Sequence, residues 1–249
     1  MPTPVYDFTW KGQSAHDAFG VETLALGSVC VAERRDDSAA VAGRSGLVHR
    51  WDGAVEEVDQ TLTVYLPYAQ PGRTVAAFSQ IRAWLKGYGR LTLSTEPGYY
   101  RLARLADLIA LDPVVEGFED LKGQVIFRCD PYLYYTSAPA QTLAEAGFLT
   151  NPGTAAAAPT IRVNATGDID LMIGGQTVLL TDLTGAIILD CAAQEAYSED
   201  ANGLKTNLND RMAGDFPLLQ PGANAVSWSL GEGAALTSVV ITPNWRDEA

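Results

Sequence analysis

Apolar residues recur at every second position over short runs in this chain, and glycine or proline closes most of these runs. Residues 61–66 are the clearest case. Leu62, Val64 and Leu66 fall on one side, Thr61, Thr63 and Tyr65 on the other, and Pro67 stops the run. A period of two matches a half-buried strand and excludes an amphipathic helix, so a mainly β fold is expected.

The first part opens with an alternating run over residues 5–10 that enters a turn at Lys11-Gly12, and residues 91–94, 99–102 and 124–129 read as further strands. One helix is expected, over about residues 74–86, with Val75, Phe78, Ile81 and Leu85 along one stripe and Gly87 as its stop. This half is a β-barrel or sandwich-like domain with one packed helix. In the second half, residues 160–164, 168–173, 176–180, 186–191, 225–230 and 238–242 have the spacing of a jelly-roll β-sandwich. Residues 226–230 and the run around Val239 and Ile241 are expected to form a hairpin with each other. Residues 192–217 lack periodicity and read as an exposed loop system. Asp168-Ile169-Asp170 begins like a calcium loop, but Met172 stands where a third oxygen ligand is needed, so the segment is read as an exposed turn and edge.

With 249 residues the chain is long enough for two ordinary domains. Proline and small residues accumulate over residues 137–159, which places a boundary near residue 140 and divides the chain into residues 1–140 and 141–249.

Charge and chemistry exclude several functions. A formal net charge of -13 opposes specific nucleic-acid binding, which rests on Lys and Arg contacts to phosphate. No run approaches the ~18 apolar residues of a membrane helix, and the start lacks the regions of a signal peptide. Cys30, Cys129 and Cys191 are odd in number and sit among apolar residues, which suits buried thiols in a reducing compartment. His16 and His49 belong to no zinc pattern, no Gly-x-Ser-x-Gly elbow occurs, and no phosphate-binding glycine loop is present. Glu56, Glu57 and Asp59, like Glu195, Glu199 and Asp200, read as a solvated face before a pair of glycosidase carboxylates. Trp228, Trp245 and Tyr197 are compatible with a sugar-stacking platform, although the alternation of Trp228 with Val226 and Leu230 favours the core. No enzyme, cofactor or metal is expected.

Landmarks run nearly end to end: Phe8-Thr9-Trp10-Lys11-Gly12, Val41-Ala42-Gly43-Arg44-Ser45-Gly46, Trp84-Leu85-Lys86-Gly87-Tyr88-Gly89, Pro97-Gly98-Tyr99-Tyr100 and Phe127-Arg128-Cys129-Asp130-Pro131-Tyr132. The second half adds Asn151-Pro152-Gly153-Thr154, Gly214-Asp215-Phe216-Pro217, Pro221-Gly222-Ala223-Asn224 and Pro243-Asn244-Trp245-Arg246. In this order they resemble the distal tail proteins of siphophages, with Ala42 standing where the family usually has proline.

The resemblance implies a ring-forming N-terminal domain and a galectin-like C-terminal sandwich. It implies a homo-oligomer, expected to be a hexameric ring, assembled in the bacterial host cytoplasm and located at the virion tail tip. There it would join the tail tube and tape-measure proteins to the tail-associated and receptor-binding proteins, with DNA passing through the lumen. The alternative is a carbohydrate-binding accessory protein that recognises host wall sugars. Gly43, Arg44, Gly46, Pro131, Tyr132, Gly214, Phe216, Pro217, Trp245 and Arg246 are the structural-turn and interface candidates. Catalytic, cofactor and metal residues are none.

Overall fold

In the computed structural model, which describes residues 6–27, 31–67, 74–113 and 120–249, the alternating runs pair into antiparallel sheets. Contacts divide the chain into Met1–Tyr134 with Glu248–Ala249, and Tyr135–Asp247. Among the described residues no helix is long and apolar enough to cross a membrane. Cys129 and Cys191 are buried free thiols, and burial pushes the Cys191 thiol up to about 12; Cys30 lies outside the described residues.

The first unit runs β1 (Phe8–Trp10), β2 (Gln13–Ser14), α1 (Ala15–Phe19), β3 (Glu22–Ala25), β4 (Arg34–Ala40), β5 (Leu47–Val55), β6 (Val58–Leu66), α2 (Thr74–Leu85), β7 (Tyr88–Leu93), β8 (Tyr99–Pro113), β9 (Leu121–Cys129) and β10 (Tyr132–Tyr135). The main sheet has the order β2-β1-β7-β8-β9-β6-β3. Alternation decides its inner face: Leu62, Val64 and Leu66 of β6 join Phe8, Trp10, Leu91, Val125 and Phe127 in one core. Helix α1 was not legible in the sequence. Ser14 caps it by accepting from the Asp17 N–H at 3.1 Å, and Gly20 ends it in the left-handed region.

Helix α2 lies on this core, but its buried stripe is rotated from the expected one. Ile81 and Leu85 are buried with Ala77 and Trp84 beside them, whereas Phe78 is half-buried outside the cluster. The side chain of Val75 lies outside the described residues. Two large aromatics fix the rotation. The Trp84 ring sits 5.8 Å from Phe8 and 4.9 Å from Phe19, and the Trp84 carbonyl accepts from Trp10 Nε1 at 3.1 Å.

The second unit comprises β11 (Gln141–Leu143), β12 (Gly147–Asn151), β13 (Thr160–Ile173), β14 (Gln176–Asp190), β15 (Glu195–Glu199), β16 (Lys205–Asn207), β17 (Met212–Ala213), β18 (Gly222–Leu230), β19 (Ala235–Thr242) and β20 (Arg246–Glu248), the last running into the first unit. It is a β-sandwich. Four expected strands are in fact two long ones. β13 pairs with β19 over residues 160–166 and with β18 over residues 169–173, and β14 follows it across the same corner. The register shift between Gly167 and Ile169 makes the bend.

Three expectations are corrected by this arrangement. β18 and β19 do not form a hairpin, because each pairs with a different half of β13 and residues 231–234 cross the corner between them. Asp168 is no edge residue: it sits at the bulge inside β13. Residues 192–217 are no loop system either, since β15 and β16 extend the sheet and bury Ala196 and Tyr197. The alanine- and proline-rich stretch before β13 also enters the core through Ala155, Ala157 and Ala158. Its small side chains suit close packing there.

Candidate functional site

Among the described residues, strands β4 and β5 pair only with each other, as a ribbon separate from the main sheet. None of their described side chains belongs to the core of the unit. Leu47 is 50% exposed and Trp51 47% exposed, with Val41 and Val48 open beside them. Local contacts hold the indole in place: Trp51 Nε1 donates to the Ala54 carbonyl at 2.8 Å, and the Arg34 guanidinium lies 4.5 Å from the ring centroid. A two-stranded hairpin is marginal by itself in water, and clustered exposed apolar side chains mark interaction surfaces. The ribbon therefore has the properties of a docking arm.

The turn at its tip carries the first candidates. Gly43 and Gly46 have φ of 79° and 84°, a region that a side chain rarely adopts, and the Arg44 N–H donates to the Val41 carbonyl at 3.1 Å. This leaves the Arg44 side chain exposed at the apex.

The other candidates lie elsewhere and do not converge. The Pro131 carbonyl accepts from the Ala249 N–H at 3.0 Å, and the Tyr132 ring meets Tyr134 edge-on at 6.3 Å. Gly214 follows β17, where a Cβ would stand 2.7 Å from the Thr177 carbonyl oxygen. Phe216 packs against the second core, Pro217 is buried, and Trp245 is a core residue. Arg246 Nε donates to the Ala156 carbonyl at 2.7 Å. From Gly214 to Arg246 these residues seal the sandwich. Trp245 is buried, Trp228 packs against the second core, and Tyr197 lies under the Lys205 ammonium, 3.9 Å from its ring centroid, so the three aromatics form no open stacking platform.

Two of the acidic residues singled out in the first unit are paired with arginine. Asp59 receives both Nε and Nη2 of Arg128 at 2.7 and 2.9 Å, and Glu57 receives Arg104 Nη2 at 3.1 Å. The Arg128 hydrogen bonds hold the Asp59 carboxyl below the usual carboxylate range. Such pairs are not the two free carboxylates of a glycosidase. No cluster able to hold a metal ion occurs among the described residues. The sequence reading found the turn at residues 41–46 but missed the ribbon around it, because Arg34-Arg35-Asp36-Asp37-Ser38 shows no apolar alternation; Leu47, Val48 and Trp51 next to that turn were the available signal.

No family model and no curated protein matches the chain. Solved structures do. The Dit protein of phage SPP1, described as a paradigm of the hub adsorption apparatus in phages infecting Gram-positive bacteria, superposes with a TM-score of 0.68 at 18% identity, covering 96% of this chain and 98% of that one. A chain of the phage p2 baseplate in its activated conformation superposes with a TM-score of 0.55 at 7% identity, covering 98% of both. At these identities the likeness is one of architecture, and over nearly its whole length this chain has the fold of the SPP1 Dit hub protein.

Proposed function

We propose that this protein is a structural subunit of a phage tail tip, a hub that closes into a homo-oligomeric ring through its first unit. The observation that carries the reading is the likeness to the SPP1 hub protein at nearly full coverage of both chains. The ribbon supports it independently. An arm with exposed Leu47, Val48 and Trp51 and no core of its own is stabilised by lying on another chain, and a head-to-tail repeat of that contact closes a ring. The sixfold count follows the family resemblance. In this reading the second unit is a galectin-like sandwich. The ring joins the tail tube and tape-measure proteins to tail-associated and receptor-binding proteins, after assembly in the host cytoplasm. The excess of 30 acidic over 17 basic residues suits a lumen that lets DNA pass without adhering.

Electron microscopy of tails assembled with this subunit tests the proposal. Six copies in a closed ring at the tip are expected, with Trp51→Glu abolishing incorporation while the free chain keeps its circular dichroism. A subunit found as a monomer in the assembled tail overturns the ring. A pore wall lined by Arg34, Arg35 and Arg50 overturns the acidic lumen.

A further inference from the structure

In the second unit an open cleft of about 390 Å³ lies beside the corner of β14, between that strand, β15, β16 and Arg211. Its floor is apolar, from Leu183 and Leu208. Around the floor stand the hydroxyls of Thr184, Ser198 and Thr206, none of which makes a side-chain hydrogen bond among the described residues. The charged groups at the rim are unequal. Asp182 is taken up by Arg211 Nη1 at 2.8 Å, and Asp200 accepts the N–H groups of Asn202 and Leu204, each at 2.8 Å. Glu199 is exposed at the rim and stands opposite Lys205 across the β15–β16 pair.

From this geometry we infer that the cleft binds a neutral saccharide of one or two rings. Three hydroxyls that both donate and accept, the exposed Glu199 carboxylate and the remaining N–H groups of a guanidinium match the alternating donors and acceptors of a polyol. The apolar floor matches the C–H face of a sugar ring. Three carboxylates against Arg211 and the neighbouring Lys205 leave a net negative rim that repels an anion. No cluster able to hold a metal cation lies here among the described residues. The inference does not rest on the hub reading: a ring subunit and a monomer would carry the same cleft.

The test is a titration of the full chain, followed by amide NMR, with maltose, lactose and N,N′-diacetylchitobiose, and with inorganic phosphate as the anionic probe. At least one neutral disaccharide is expected to shift the Gly185, Ser198 and Thr206 amides saturably in the millimolar range. Gly185→Val places its side chain where a Cβ meets nothing within 4 Å, so it fills the cleft without strain and is expected to abolish the shifts. Glu199→Gln changes an exposed side chain and is expected to weaken binding about tenfold. The inference is overturned if no neutral sugar moves these amides, if phosphate binds as well as the sugars, or if both variants bind like the wild type.

Discussion

The carboxylate of Asp168 accepts a hydrogen bond of 2.8 Å from the backbone N–H of Asp182, tying β13 to β14 where both strands turn from one sheet of the sandwich into the other. Asp182 stands there at φ 50°, a conformation that a non-glycine residue holds only when its surroundings impose it.

Removal of that carboxylate in Asp168→Ala is expected to speed exchange of the Asp182 amide hydrogen about tenfold while leaving the Leu171 amide unchanged. Hydrogen–deuterium exchange resolved by NMR reads both sites. Equal protection of Asp182 in variant and wild type would refute the role given to Asp168.

Helix α2 supplies a second expectation. Leu85→Ala and Ile81→Ala should each cost about 2–5 kcal/mol, and Phe78→Ala less than about 1.5 kcal/mol, because only the first two are fully enclosed. Urea denaturation followed by Trp fluorescence ranks them, and an equal loss at Phe78 would contradict the rotated stripe.

Arg101 is buried inside the first unit at 1% exposure, held by Glu96 through Nε at 3.2 Å and Nη2 at 2.6 Å, while its Nη1 has no hydrogen-bond partner among the described residues. Truncation of Glu96 to alanine leaves a buried cation without its counter-charge and should cost about 3–5 kcal/mol. Arg101→Met removes the charge and keeps the volume, so its stability should match or exceed that of the wild type. The two denaturation midpoints decide the matter.

Acid stability should carry the signature of Asp59. Its folded carboxyl is depressed by Arg128, so its contribution is fully present above the unfolded carboxylate range near about pH 4 and is lost as pH falls through the folded value. Asp59→Asn should therefore be less stable than the wild type at neutral pH, with the gap closing by about pH 2. A gap that persists in acid would assign the loss to packing.

Period-two runs gave the strand interiors to the sequence reading, as with Leu62, Val64 and Leu66, because burial of one face leaves that mark on composition. Continuity across the sandwich corner left none. Asp168 and Asp182 look like turn residues in isolation, and only the pairing of each half of β13 with a different partner shows that the strand continues. For the same reason Leu230, placed inward by alternation with Val226, is 47% exposed, since β18 runs past the end of the core. The ribbon was hidden for the opposite reason: its described side chains join neither core, so periodicity had nothing to record. The cleft beside β14 is assembled from residues 182–211, most of which read as loop until β15 and β16 are seen to extend the sheet.

The last residues have a consequence for how the chain can be rebuilt. Ala249 donates to the Pro131 carbonyl and accepts from the Ala32 N–H, so the first unit holds the chain on both sides of residues 135–247. Within the second unit the Tyr135 N–H meets the Trp245 carbonyl at 3.0 Å, so the strands that leave and return run side by side. The sandwich is thus a guest spliced into a host at two neighbouring points. One protease cut at residue 134 does not free it, and a foreign domain can join the same two points only if its own termini are adjacent.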